Sequence, residues 1–154
     1  MSAWLLRICV DETKPYWYEI DRAFKKLGTI PQAQNIHIKN IAVGDIVYVY
    51  ETYPIQKICW KCEVVAIKIV PQDVDIDDSE FAHGYDEGDD SYIKITAIGK
   101  YDDEARKKLS LDKLRENGLT QERSSFNLNS PRVNPQLLKY ISSIKPKPPV
   151  EYND

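Results

Sequence analysis

The chain has 154 residues, 42% of them hydrophobic and 29% charged, a composition typical of a single globular domain. No apolar run approaches the ~20 residues that a membrane-spanning helix needs, so we expect no membrane partner. The formal net charge is −3, but nine acidic residues and no Lys or Arg lie within residues 71–90, so the rest of the chain is basic. This charge pattern leaves nucleic acid as a partner that the sequence permits.

Cysteine usage and the N-terminal residues indicate the compartment. Three cysteines, an odd number, argue against a disulfide framework and favour a reducing environment. The start of the sequence lacks the basic region and long apolar core that mark a signal peptide. We therefore expect a cytoplasmic protein.

Strand and helix patterns succeed each other along the chain. Strands are predicted at residues 4–10, 46–50, 58–70 and 92–98, and helices at residues 21–27, 110–117 and 135–141. The helix ends carry familiar signals, because Gly28 follows the first helix, Ser110 is an N-cap candidate for the second and Pro135 opens the third. Residues 29–40 are predicted to form a loop with room for a short strand. The acidic residues 73–90 are predicted to form a second loop.

The segment Ile41–Tyr50 is the centre of the predicted fold. Gly44 and Asp45 are turn formers, and the β-branched and aromatic run after them is a strong strand signal. Side-chain alternation divides this strand into two faces, with Ile46, Tyr48 and Tyr50 on one and Val47 and Val49 on the other. Both faces are largely apolar, which predicts a central strand covered on both sides.

The sequence offers little catalytic or metal-binding machinery. Cys59 and Cys62 form a CxxC pair in a strand pattern, where an offset of three places the sulfurs on opposite faces, so we interpret them as structural. The acidic segment from Asp73 lacks the Gly and Glu that a calcium loop needs. No phosphate loop and no nucleophilic triad occur. We therefore expect no catalytic residues, no metal, no cofactor and no enzymatic activity.

The positive signal is a set of aromatic and amide side chains. The aromatic residues, in elements that should be neighbours in a small barrel, are Trp17, Tyr48, Tyr50, Tyr53, Trp60 and Tyr92. Gln32, Gln34 and Asn35 precede the central strand. Ring stacking with amide hydrogen bonds is how proteins hold an unpaired base. Arg123 and Arg132 are candidates for the flanking phosphates. The alternative interpretation is that each aromatic ring belongs to the core.

Three motifs stand out between Trp4 and Ile144: residues 43–50 (VGDIVYVY), the Tyr53-Pro54-Ile55 turn and residues 61–65 (KCEVV). These motifs and the order of elements resemble the EVE family, which belongs to the PUA-like superfamily of small barrels and is related to YTH domains. The resemblance implies an α+β fold, a small PUA-like mixed β-barrel of about five to six strands with peripheral short helices. Residues 1–144 would form one domain and residues 145–154 a Pro-rich tail or linker.

The resemblance also implies a function. EVE-like domains resemble the reading part of modification-dependent restriction or defence systems, with a pocket that accepts a flipped, modified base. We expect a nucleic-acid-binding module that recognises a modified base in DNA and works alone or with a nuclease partner. The alternatives are an RNA-binding PUA-like module, a protein-interaction module without nucleic acid, and a nucleotide-hydrolysing enzyme.

Carried over by position, the resemblance assigns residues to the pocket. The base-pocket candidates are Trp17, Gln32, Gln34, Asn35, Tyr48, Tyr53, Ser124, Ser125 and Phe126, and the phosphate-binding candidates are Arg123 and Arg132. One departure concerns Gln32, which stands where relatives tend to carry Trp. If that Trp forms a pocket wall, another aromatic residue replaces it here or the ligand differs.

Overall fold

The computed structural model describes residues 1–85 and 90–148. The strands are β1 (Ala3–Ile8), β2 (Trp17–Tyr18), β3 (Thr29–Ala33), β4 (Ile46–Glu51), β5 (Lys57–Ile69), β6 (Ala82–His83), β7 (Tyr92–Lys100) and β8 (Phe126–Asn127). The helices are α1 (Ile20–Leu27), α2 (Asp103–Lys108), α3 (Leu111–Glu116) and α4 (Pro135–Ser143), with 3₁₀ turns at Ile36–Ile38 and Pro71–Asp73. No described helix has the length and hydropathy to cross a bilayer.

Six strands form one mixed sheet in the order β3-β7-β5-β4-β1-β8, and β2 pairs with β6 in a small second sheet. The β1–β4 pair is parallel and the other pairs are antiparallel. Within the described residues no strand pairing joins β3 to β8, so the sheet is open, yet β8 contacts the Ile36–Ile38 turn that follows β3. The sheet therefore curves until its two edges approach each other. The predicted α+β class, with a small mixed sheet and short peripheral helices, is confirmed.

The central position of β4 is also confirmed. This strand pairs with β1 on one side and β5 on the other. Val47 and Val49 pack into a first core with β1, α1 and β5, whereas Tyr48 and Tyr50 pack into a second core under α2, α3 and α4. Burial on both faces explains why the strand has no polar alternation.

The two CxxC cysteines lie on the same side of the sheet, so the prediction of opposite faces is wrong. Val49 pairs with Trp60 and Tyr50 pairs with Ile58, which leaves Cys59 as the extra residue of a β-bulge. A bulge shifts the side-chain alternation by one residue. Cys59 and Cys62 are therefore both fully buried in the first core, and both are free thiols.

Asp45 explains the Gly-Asp turn before β4. Gly44 has a φ of 91°, a conformation that glycine adopts without steric cost. The buried Asp45 carboxylate accepts hydrogen bonds from the Ser2 N–H (3.0 Å), the Ala42 N–H (2.9 Å) and the Trp4 indole N–H (2.9 Å). Burial alone would raise the pKa of Asp45, but these donors outweigh it and hold the pKa below its usual value. One carboxylate thus joins the chain start, the turn and β1.

Two chain segments have structure that no sequence pattern predicted. No helix or strand was predicted at residues 101–108, but Asp102 accepts a hydrogen bond from the Ala105 N–H (2.8 Å) and caps α2. The first residues of the predicted tail are attached to the sheet, because Lys147 forms two backbone hydrogen bonds with Lys100, of 2.8 and 3.0 Å. Residues 149–154 of that tail lie outside the described part of the chain.

Candidate functional site

A cleft of about 1020 Å³ opens along Leu5–Ile8 of β1 and the next residue, Cys9. Its other walls come from residues 11–18, 31–37, 50–56, 78–85, 90–92 and 111–125. A volume of this size lies at the upper end of the range for small-molecule sites, roughly 300–1000 Å³. The cleft is therefore large enough for a ligand with several chemical parts.

The cleft lies where the short strand β8 ends. Its two residues pair only with Trp4 and Leu5, and no other described strand pairs with the outer edge of β1 from residue 6 onward. The Arg7 N–H instead donates to the Ser125 Oγ at 2.9 Å. This contact places the segment after Leu119 beside the free edge of β1.

One part of the lining is a tyrosine group, formed by Tyr16, Tyr18, Tyr85 and Asp78. The ring centroids of Tyr16 and Tyr85 are 5.6 Å apart, and those of Tyr18 and Tyr85 are 6.2 Å apart. The Tyr18 hydroxyl donates to Asp78 at 2.8 Å. Burial raises the pKa of Tyr18, and it raises that of Tyr85 to about 12, so both phenols are neutral at physiological pH.

A second part of the lining is a basic group, formed by Arg7, Arg115, Arg123 and Glu122. Arg115 holds the Glu122 carboxylate through two parallel contacts, Nε to Oε2 at 2.7 Å and Nη2 to Oε1 at 2.5 Å. Arg7 has a buried Nε to which no described group hydrogen-bonds. Arg123 is exposed, and no described carboxylate forms an ion pair with it.

Most acidic side chains of the cleft are held by the protein itself. Asp11 accepts hydrogen bonds from the backbone N–H (3.0 Å) and the hydroxyl (2.7 Å) of Thr13. These bonds hold the pKa of Asp11 below its usual value. Asp78 is bonded to Tyr18 and Glu122 to Arg115, as described above. The cleft thus contains carboxylates that already accept hydrogen bonds. It also contains Arg7, whose Nε has no described partner, and Arg123, which has no described ion pair.

Much of the acidic segment points elsewhere. Asp75 forms an ion pair with Lys94, and Glu80 forms one with Lys26, and neither carboxylate lines the cleft. Of the acidic side chains in residues 73–85 and 90, those of Asp78 and Asp90 line the cleft. The acidic residues 86, 87 and 89 lie outside the described part of the chain.

The structure brings six of the eleven sequence-predicted site residues into the cleft lining. These are Gln32, Asn35, Tyr53, Arg123, Ser124 and Ser125. The cleft lining does not include Trp17, Gln34, Tyr48, Phe126 or Arg132.

The residues outside the lining have other surroundings. Tyr48 and Phe126 are buried in the second core. Trp17 stacks on His83 with ring centroids 4.1 Å apart. The Gln34 side chain donates to the Lys39 carbonyl and accepts from the Lys68 N–H. Arg132 is exposed on the loop before α4.

Sequence reasoning missed several lining residues, chief among them Arg7, Arg115 and the tyrosine group. A signal for Arg7 was present, because it is a charged residue inside the apolar run Trp4–Val10. A charge in a strand with two buried faces needs a polar environment, and the cleft supplies it. For Tyr16 and Tyr85 no such signal exists, since both stand in loops.

The chemistry of the cleft suits an anionic ligand with a planar ring. Among the described residues, no group of three or more His, Cys, Asp or Glu side chains is arranged to hold a metal ion. Arginine forks match phosphate oxygens, and tyrosine rings offer flat apolar surface.

Comparisons with known proteins show the fold. No family model matches the sequence, and no curated protein matches it. A crystal structure of a structural-genomics target from Pseudomonas putida superposes with a TM-score of 0.59 at 15% identity, over 93% of this chain and 99% of that one. A similar target from Pseudomonas syringae has a TM-score of 0.58 at 15% identity, over 92% and 98% of the two chains.

The crystal structure of an ASCH protein from Zymomonas mobilis has a TM-score of 0.56 at 12% identity, over 95% of this chain and 97% of that one. Identities this low relate folds and not functions. The EVE and PUA-like assignments stay predictions. This chain has the same α+β fold as the ASCH protein from Zymomonas mobilis.

Proposed function

We propose that the cleft binds an unpaired nucleotide of a nucleic acid, with the base against the tyrosine group and the adjoining phosphates at the basic group. The observation that carries this proposal is the presence of both groups in one cleft of about 1020 Å³. Proteins that bind single-stranded nucleic acid combine aromatic platforms with a positively charged path for the backbone.

The rim of the cleft supports base recognition. Tyr53 is 64% exposed and lines the cleft, so its ring is available for stacking. Gln32 and Asn35 lie on the β3 side and present amide groups, which can read the hydrogen-bonding edge of a base. Tyr53 and the tyrosine group thus provide the aromatic surface that a Trp at position 32 would otherwise supply.

The ligand class follows from the sequence resemblance. EVE-like domains imply a modified base in DNA as the first choice, and RNA is the second. A nuclease partner belongs to the same proposal, because this chain carries no nuclease motif.

We further propose that the chain binds without catalysing a reaction. A side chain acts as a general base only when it is free to accept the substrate's proton. In this cleft Asp11 and Asp78 already accept hydrogen bonds from the protein's own groups. Incubation with DNA and RNA oligonucleotides should return them unchanged, and product formation that His37→Gln, Asp90→Asn or Glu122→Gln abolishes would contradict this.

Two arginines provide a matched test of the binding proposal. Arg123 and Arg132 are both exposed, but only Arg123 lines the cleft. Arg123→Gln should weaken oligonucleotide binding across sequences and reduce the slope of log K against log salt by about one, since one phosphate contact is lost. Arg132→Gln should change both quantities much less. Fluorescence anisotropy of labelled oligonucleotides at two salt concentrations measures both effects.

Equal effects of the two substitutions would mean that the cleft does not direct binding. Binding that does not depend on salt would favour the protein-interaction alternative, because counterion release makes phosphate contacts steeply salt-dependent.

A further inference from the structure

The ion pair between Arg115 and Glu122 has the geometry of a ligand contact. Two parallel N–H to O contacts, of 2.7 and 2.5 Å, join the guanidinium to the carboxylate. This fork is the same one with which arginine binds a phosphate group. Both residues line the cleft, so the contact lies where a ligand would bind.

A second arginine, Arg7, lines the same cleft. The hydrogen bonds from Arg115 are the main reason that the pKa of Glu122 lies below its usual value, and the charge of Arg7 lowers it further. Arg7 makes no hydrogen bond to Glu122, and its buried Nε has no described partner. The cleft therefore holds one guanidinium group that Glu122 satisfies and a second whose Nε is not satisfied.

The chain supports Arg7 and Arg115 from separate elements. Arg7 lies on β1 opposite Tyr50 of β4, and Arg115 lies in α3. Arg115 Nη1 is also 3.6 Å from Asp112, one turn earlier in the same helix. The Arg115 guanidinium thus keeps an anchor on α3 if Glu122 leaves it.

Glu122 is better placed to move than either arginine. It stands in the segment between α3 and β8, outside any helix or strand. The side chains of Arg115 and Glu122 are 48% and 33% exposed, and ion pairs with this exposure contribute only ~0–1 kcal/mol. Replacing the carboxylate with a phosphate group costs little, because the arginine fork binds phosphate oxygens as it binds carboxylate oxygens, and a phosphate has a further oxygen to accept from a second arginine.

We propose that Arg7 and Arg115 form a phosphate-binding site and that Glu122 occupies it in the free protein, as a tethered competitor that the phosphate of the ligand displaces. This inference rests on the proposed function, since it assigns the phosphate contacts of the same cleft.

The test compares Glu122→Gln with Glu116→Gln. Both substitutions remove one negative charge, but Glu116 pairs with Lys113 on α3 and does not line the cleft. The probes are a labelled oligonucleotide, whose binding is measured by anisotropy, and inorganic pyrophosphate, whose binding is measured by calorimetry. Thermal unfolding of both variants confirms that they fold.

Glu122→Gln should bind both probes more tightly than wild type, by roughly two- to fivefold, the equivalent of an exposed ion pair. Glu116→Gln should match wild type, and Arg7→Gln should lose most of the pyrophosphate binding. Binding by Glu122→Gln that is equal to or weaker than wild type for both probes would overturn the inference.

The two probes separate this inference from the proposed function. If oligonucleotides bind but Glu122→Gln gains no affinity, the inference fails and the nucleic-acid proposal stands. If no oligonucleotide binds but pyrophosphate binds more tightly to Glu122→Gln, the phosphate site stands and the nucleic-acid proposal fails. If neither probe binds to any variant, both fail.

Discussion

At the scale of single residues, the contrast between Tyr48 and Tyr53 shows what a sequence can and cannot assign. Both were predicted to form pocket walls. Tyr48 is 3% exposed and packs in the second core, whereas Tyr53 is 64% exposed and lines the cleft. The strand pattern predicted a covered face for Tyr48, but it could not show whether a core or a ligand covers it.

Substitution of these two tyrosines should separate stability from binding. Tyr48→Ala should lower the free energy of unfolding by about 3–5 kcal/mol, because it leaves a large cavity in the core. Tyr53→Ala should leave that free energy nearly unchanged and weaken oligonucleotide binding by about 1–3 kcal/mol through lost stacking. Urea denaturation and anisotropy titration measure the two quantities.

Tyr53→Phe serves as the control, since it keeps the ring and should keep the binding. If Tyr53→Ala binds as wild type does, the rim of the cleft does not stack on the ligand.

At the scale of elements, apolar periodicity and end signals located most helices and strands. The N-cap at Ser110 and the opening Pro135 were predicted correctly because each precedes a segment in which apolar residues recur at helical spacing. Helix α2 was missed because Ala105 is the only apolar residue of Asp103–Lys108, so no apolar period marks it. The bulge at Cys59 was missed because it arises from pairing with β4, which lies outside the strand's own sequence.

A buried polar junction connects four elements near that bulge. Glu51 ends β4 and is 3% exposed, and Asp21 of α1, Cys59 of β5 and Arg106 of α2 surround it. Burial, reinforced by the charge of Asp21, raises the pKa of Glu51 to about 8, while Arg106 acts in the opposite direction. Glu51 is therefore protonated in the folded protein at neutral pH.

This junction predicts how stability depends on pH. A pKa raised from 4.5 to about 8 means that the folded state binds a proton that the unfolded state releases in this range. Stability should thus fall as pH rises from about 4.5 to 8, by at most ~1.4 kcal/mol per pH unit, and then level off. Glu51→Gln, which cannot ionise, should flatten this decline and be relatively more stable at pH 9.

Urea denaturation of both proteins at pH 5, 7 and 9 measures the decline. The same decline in Glu51→Gln as in wild type would place its origin in another group. The pKa of Asp45 is lowered, so its contribution to stability is lost only when the pH falls below the ordinary pKa of an Asp carboxyl. Asp45 therefore does not contribute to the decline between pH 4.5 and 8.

At the scale of the whole molecule, the resemblance predicted the α+β class and a small mixed sheet, but not the cleft. The cleft depends on where β8 stops and on how far the sheet curves, and both result from contacts between residues distant in sequence. The prediction therefore found rim residues such as Gln32, Tyr53 and Arg123, which lie in loops or near strand ends. It missed Arg7, which lines the cleft at a point where no described strand pairs with the outer edge of β1.

Charge distribution also belongs to this scale. The net charge of −3 suggests a poor partner for nucleic acid. Ion pairs of Asp75 and Glu80 with basic residues outside the cleft reduce the repulsion that the acidic segment would exert on a phosphate. Local charge in the cleft, and not the net charge, then decides which ligand binds.

The measurement that tests the central claim most directly is an anisotropy titration with short labelled oligonucleotides. The panel contains single- and double-stranded DNA and RNA, each plain, cytosine-modified or methyladenine-modified, at two salt concentrations. No tryptophan lines the cleft in the described part of the chain, so the label belongs on the oligonucleotide. Tighter binding of one modified oligonucleotide than of its plain twin, weakened by salt and by Arg123→Gln, is the predicted result. A flat response across the panel at both salt concentrations would contradict the claim that this cleft binds nucleic acid.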